Sequence, residues 1–176
     1  PIVGIFLMGS DIPDVQAKLA KHLNLKGPTT ETAELTTNKY LMKKRLIDCN
    51  IALPSFKLIK NINDLNNYIL NTNFKKYVIK PVDRSGSRGV YLIDRNSNRI
   101  NQLYVKCQKE SNSGEVLIEE YIEGLQISTE SIIINDEVYT PGFVDRNYEM
   151  LDRFKPNIIE NGGNHPSIIS FKKRKE

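Results

Sequence analysis

Three observations predict a mixed α+β (α/β) fold for this chain of 176 residues. Short apolar runs at Tyr77–Pro81, Val90–Ile93 and Val116–Ile122, bounded by turn residues, have the length and composition of strands. Ile100, Leu103, Tyr104 and Cys107 recur at i, i+3, i+4 and i+7, the stripe of an amphipathic helix. Farther on, Gln126–Ile134 and Glu137–Val144 read as antiparallel partners joined near Asn135-Asp136.

The remaining elements follow in order. Ile2–Met8 reads as a buried strand with Gly9-Ser10 as its turn. Asp11 is placed to cap the next helix, Pro13 suits its first turn, and Val15, Leu19 and Leu23 repeat along one face. Gly27-Pro28 breaks that helix, leaving one βα unit that cannot make a sheet alone. A helix is predicted from Asn38 to about Asp48, then a short strand over Phe56–Ile59. Leu65, Tyr68, Ile69 and Thr72 mark a further helix face, with Asn63 or Asp64 as its cap. Asn112-Ser-Gly114 is a turn that delivers the Val116 strand, so Phe56–Ile122 forms one α+β lobe.

Composition narrows the class. Hydrophobic content of 39% with 26% charged residues is ordinary for a soluble globular protein. No run approaches the ~18 apolar residues of a membrane span, and no secretory signal pattern opens the chain. Cys49 and Cys107 lack metal-ligand spacing and a disulfide framework, which makes a reducing cytoplasm the default and a small buried hydrophobe the plain reading of each. The net charge of +4 does not point to nucleic acid, because Lys172–Lys175 with Glu176 supplies +3 of it. No aromatic-studded basic stripe accompanies that tail.

The chemistry is concentrated in Tyr77-Val-Ile-Lys-Pro-Val-Asp-Arg-Ser-Gly-Ser-Arg-Gly89. An apolar strand delivers Lys80, and a loop of small residues follows. Ser85, Gly86, Ser87 and Gly89 place little in the path of an approaching anion, so backbone amides there can receive phosphate oxygens. Lys80 adds fixed charge, and Arg88 either clamps phosphate or stays solvated. The alternative is a plain hairpin connection. A P-loop is excluded, because no Gly-x-x-x-x-Gly-Lys-Ser/Thr string occurs. A protein kinase is excluded as well, since its glycine-rich loop precedes the strand lysine and here Lys80 precedes the loop.

With Asn38-Lys39 upstream and Val116-Leu-Ile-Glu-Glu-Tyr-Ile-Glu-Gly124 downstream, the motif resembles the ATP-grasp family of nucleotide-dependent ligases, over roughly Val3 to Ser167. The resemblance implies a partial ATP-grasp fold. Residues 1–37 would end an N-terminal lobe, 38–124 would form the lid, and 125–176 would begin the central sheet with a basic tail. It implies an ATP site of Lys39, Lys80, Ser85, Gly86, Ser87, Arg88 and Gly89, closed by Glu119, Glu120, Tyr121 and Ile122, whose backbone reads adenine. The Glu119 side chain would accept from adenine's amino group; the alternative for Glu119 and Glu120 is a solvated strand face. Gln126 stands where the family commonly has an acid on the ribose hydroxyls, and an amide makes that contact more weakly. Arg146 and His165 are candidate catalytic residues in positions that face substrate in the family.

The implied activity is activation of a carboxylate as an acyl phosphate for attack by an amine or similar nucleophile. The branch implied is that of carbamoyl-phosphate-synthase-like and carboxylate–amine ligases. The implied partners are ATP or ADP and a small carboxylate, with no nucleic acid and no membrane, and oligomerisation is left open. Magnesium is implied too, with its ligands expected beyond residue 176, which makes the chain a truncated, inactive fragment of an active parent. The competing reading is a non-catalytic nucleotide-binding module or remnant.

Overall fold

A computed structural model describes residues 1–135 and 137–174. Asp136, in the predicted hairpin turn, and Lys175 and Glu176, in the basic tail, lie outside the described residues. The chain divides into two compact units, Pro1–Tyr121 and Ile122–Glu176.

The first unit begins differently from expectation. Residues 2–8 are irregular, and Ile2, Val3, Phe6 and Met8 are all exposed. A strand exists only by pairing its backbone groups with a neighbour, and among the described residues no strand pairs with this segment. Helix α1 (Pro13–His22) starts with Pro13 in its first turn as predicted. Its N-cap is Ile12, however, with no side-chain cap from Asp11. Its buried face is Ala17 and Ala20, not Val15, Leu19 and Leu23, which are exposed. A second helix, α2 (Thr30–Thr37), packs beside α1 and buries Ala33, so small residues let the two helices approach closely. Its weak apolar periodicity hid it from sequence reading. Its signal is the cap, since Thr29 Oγ1 accepts from Thr32 N–H at 3.0 Å. Helix α3 (Lys39–Asp48) starts where expected, because Asn38 Oδ1 accepts from the amides of Tyr40 (3.0 Å) and Leu41 (3.1 Å).

An antiparallel sheet follows, in the order β1 (Phe56–Ile59), β4 (Val116–Glu120), β2 (Lys76–Pro81), β3 (Tyr91–Asp94). Helices α4 (Ile62–Asn71) and α5 (Ile100–Glu110) cover one face. The cap of α4 is Asn61, which accepts from Asp64 N–H, not Asn63 or Asp64. Asp64 is occupied instead by Lys57 Nζ and by the Lys60 amide. The predicted stripes meet in the core: Leu65, Tyr68 and Ile69 of α4 and Leu103, Tyr104 and Cys107 of α5 pack with Tyr77, Ile79, Val116 and Ile118. Burial pushes the Cys107 thiol up to about 12, so it behaves as a small hydrophobe.

In the second unit β5 (Gln126–Ile134) and β6 (Glu137–Arg146) form the predicted antiparallel pair, with a bulge between Glu130 and Ile132. A short helix α6 (Leu151–Phe154) and a two-residue strand β7 (Gly163–Asn164) on the edge of β6 complete it. Among the described residues no helix is long and apolar enough to cross a membrane.

Candidate functional site

Strand register decides which side chains share a face. Val78 pairs with Glu119 and Lys80 with Leu117, so these four lie on the sheet face opposite the α4/α5 core. Phe56 pairs with Glu119 on the other side and joins them. Helix α3 carries Lys39 and Lys43 one turn apart, and both reach this neighbourhood. The Lys39 amide donates to Val82 C=O at 2.8 Å, and its ammonium donates to Arg84 C=O, stitching the start of α3 to the end of β2.

The result is a cluster of three ammonium groups around one carboxylate. Lys80 Nζ donates to Glu119 Oε1. Lys43 Nζ lies 2.9 Å from Glu119 Oε2, and both side chains are about nine-tenths buried. Oε2 is itself buried, with the Lys43 ammonium as its ion-pair partner. Burial and then the nearby charge of Lys80 hold the Lys39 ammonium below the usual lysine range. Two cations in each other's field, with one carboxylate between Lys80 and Lys43, leave net positive charge that an incoming anion would neutralise.

A cavity of about 450 Å³ opens beside Lys39, lined also by Ser10, Asp11, Thr36, Thr37, Asp83, Arg84 and Ser85. It lies within the first unit and presents hydroxyls and both signs of charge. The loop beyond β2 curls through left-handed backbone at Gly86, Ser87 and Gly89. Arg88 folds back, its Nε donating to Ser85 C=O at 3.2 Å. Gly89 is required by space as well as by conformation: at φ +72° a Cβ would sit 2.8 Å from Glu110 Cβ and 2.9 Å from Pro81 Cγ. Gly89→Ala is expected to destabilise the first unit by about 1–2 kcal/mol from backbone strain alone, with more from the clash, read as a lowered denaturation midpoint.

Asp83 anchors the loop's other side. Its carboxylate accepts from Ser111 Oγ (3.0 Å) and from the amides of Asn112 (3.1 Å) and Ser113 (2.7 Å). Burial alone would raise its pKa, but these bonds, led by those from Ser113, together outweigh it and hold the carboxyl below its ordinary value. A depressed folded value means that this stabilisation is present above about pH 4 and lost as pH falls through the folded pKa. Asp83→Asn should therefore flatten the acid limb of stability against pH, measured by urea denaturation between roughly pH 2 and 6.

The structure thus brings Lys39, Lys80 and Glu119 together, with Ser85 on the adjoining cavity. The amides of Glu120 and Tyr121 are committed to the sheet, donating to Ser55 C=O (2.8 Å) and Lys76 C=O (3.2 Å). The strand ends at Glu120 rather than Ile122. Ile122 and Gln126 belong to the second unit, and both are exposed. There Arg146 is paired with Glu160 through Nε at 2.9 Å and lies over the Tyr148 ring, while His165 is exposed. The neighbouring Asp145 is buried and accepts from Ser167 Oγ and the Ile168 amide. Sequence reasoning missed Lys43; its only signal was the four-residue step from Lys39. Among the described residues no group of three or more His, Cys, Asp or Glu side chains assembles.

Comparison with known proteins agrees with this architecture. The profile of the phosphoribosylglycinamide synthetase ATP-grasp (A) domain matches residues 37–152, and the chain belongs to this ATP-grasp family. It is 29% identical over 125 residues to phosphoribosylamine–glycine ligase of Helicobacter pylori, covering 71% of this chain and 28% of that protein. Among solved structures it superposes on the VanG D-Ala:D-Ser ligase of Enterococcus faecalis with a TM-score of 0.77 at 16% identity, over 93% of this chain and 49% of that one. Biotin carboxylase of Campylobacter jejuni, solved as a β,γ-ATP complex, gives a TM-score of 0.76 at 16% identity, over 96% and 39%. At these identities the structural likeness speaks for the ATP-grasp fold alone. The chain spans about half or less of each of these proteins.

Proposed function

We propose that this chain supplies the ATP-binding region of an ATP-grasp ligase that activates a carboxylate as an acyl phosphate for attack by an amine or similar nucleophile. Membership of the family supports the ligase class. The observation that carries the nucleotide reading is the face on which Lys39 and Lys80 sit beside Glu119, next to an open cavity and a loop of small residues. Charged groups already placed are what phosphoryl transfer asks of a protein, since the work there is positioning and neutralising charge. In this reading Lys39 and Lys80 hold phosphate oxygens, the Ser85–Gly89 loop closes over them, and Glu119 with the Glu120–Ile122 backbone receives adenine. Gln126 takes the ribose, and Arg146 and His165 serve the substrate.

Magnesium belongs to the proposal as a companion of the phosphates, with no ligand assigned among the described residues. A reducing cytoplasmic setting is proposed as well, supported by two cysteines that are both free. Isothermal calorimetry with ADP and with a non-hydrolysable ATP analogue tests the nucleotide reading. Saturable one-to-one binding is the expected result, and absence of heat with either nucleotide would remove it.

A further inference from the structure

Lys43 has no place in the chemistry described so far, yet it is the most buried lysine of the cluster. Its side chain is 8% exposed, and that of its partner Glu119 is 10% exposed. Burying an ammonium is costly unless something holds it, and three things do. Helix α3 aims it at the sheet, Glu119 Oε2 lies 2.9 Å away, and the Phe56 ring lies 5.3 Å below it. Phe56 is itself braced edge-on by Tyr40, with ring centroids 6.3 Å apart. Lys80, reaching across from β2, takes the other carboxylate oxygen. Glu119 is therefore gripped from two elements, and its carboxylate has little freedom to rotate. Oε2 is buried against the Lys43 ammonium. Val78, 7% exposed, and Leu117, fully buried, lie on the same face and make the surroundings of the carboxylate apolar.

We propose that Lys43 is a positioning residue that sets base specificity. By holding the Glu119 carboxylate against rotation, it keeps an acceptor-only edge turned to the exocyclic amino group of a purine. The inference rests on the adenine-nucleotide reading above and adds to it the reason that an amino-purine is chosen over an oxo-purine. A carbonyl at the same ring position would set acceptor against acceptor, leaving both unpaired, and that mismatch discriminates only while the carboxylate cannot swing away. Lys80 alone cannot do this, because a carboxylate held through one oxygen pivots about that contact.

The test compares ADP with inosine diphosphate, which differs at that ring position, by calorimetry on the full chain. Wild type is expected to favour ADP by about tenfold or more, the worth of one well-made hydrogen bond against a buried mismatch. Lys43→Met should weaken ADP by about fivefold or more while leaving inosine diphosphate nearly unchanged, so the preference collapses. Lys43→Arg should restore most of it. Circular dichroism checks the fold, and Lys43→Gln carries the same comparison should the methionine variant not fold. Equal loss of both nucleotides, or an intact preference in Lys43→Met, would overturn the role of Lys43 and leave the nucleotide reading standing. Binding of neither nucleotide by wild type would remove both.

Discussion

Lys80→Ala should weaken ADP binding tenfold or more. The lysine stands on β2 with its ammonium beside Lys39 and against Glu119, and it is only partly exposed. Losing one charge-assisted contact to phosphate costs about 1.5–3 kcal/mol, which is roughly a tenfold change or greater in Kd. The substitution also leaves Glu119 with Lys43 as its one partner and shifts the local balance of charge away from the positive. Both effects act in the same direction, against an anionic ligand. Lys106→Ala, on the exposed side of α5, removes the same net charge far from this face and should leave Kd unchanged. The pair of variants separates a site contact from a change in overall charge. Unaltered affinity in Lys80→Ala would exclude Lys80 from the site.

Glu119→Ala should be among the most destabilising single changes in the first unit. It strands the buried Lys43 ammonium and takes the carboxylate from Lys80 in one step. Removing one partner of a buried ion pair costs about 3–5 kcal/mol, because the remaining charge is left in a poorly solvating place. Mutants in this range show a large fall in urea midpoint with little change in slope. The double substitution Lys43→Met with Glu119→Leu should recover most of that loss, since an apolar pair of similar volume has no charge to desolvate. Recovery would show that the cost lies in stranded charge. Failure to recover would place it in packing against Phe56 and Leu117 instead. In both outcomes the double variant should still lack the nucleotide discrimination that the pair is proposed to provide.

Much of the fold was legible because local signals and burial coincide in the lobe around the sheet. The helical stripe Leu103, Tyr104, Cys107 is buried as its spacing predicts, and Phe56–Ile59, Tyr77–Pro81 and Gln126–Ile134 are strands over the predicted residues or within one of them. Asn38 announced the start of α3 because an N-cap is a local hydrogen bond, settled within three residues of itself. Where pairing or packing partners decide, the same methods failed. Ile2–Met8 has strand composition but, among the described residues, no strand to bond, and the apolar residues of α1 lost the buried face to Ala17 and Ala20. A close helix–helix contact rewards small side chains, and no sequence period reveals that.

By itself the sequence determined the chemical vocabulary of this protein. It placed a lysine at a strand end, a loop of small residues after it, an acidic pair on a second strand and a lysine opening a helix. Tertiary structure alone decided how these combine. Antiparallel register put Lys80 and Glu119 on one face although 39 residues separate them. The placement of α3 against that face then drew in Lys43, which no motif had singled out. The reason is physical: side-chain identity is local, whereas the partner of a buried charge is chosen by whichever element the fold brings within about 3 Å of it.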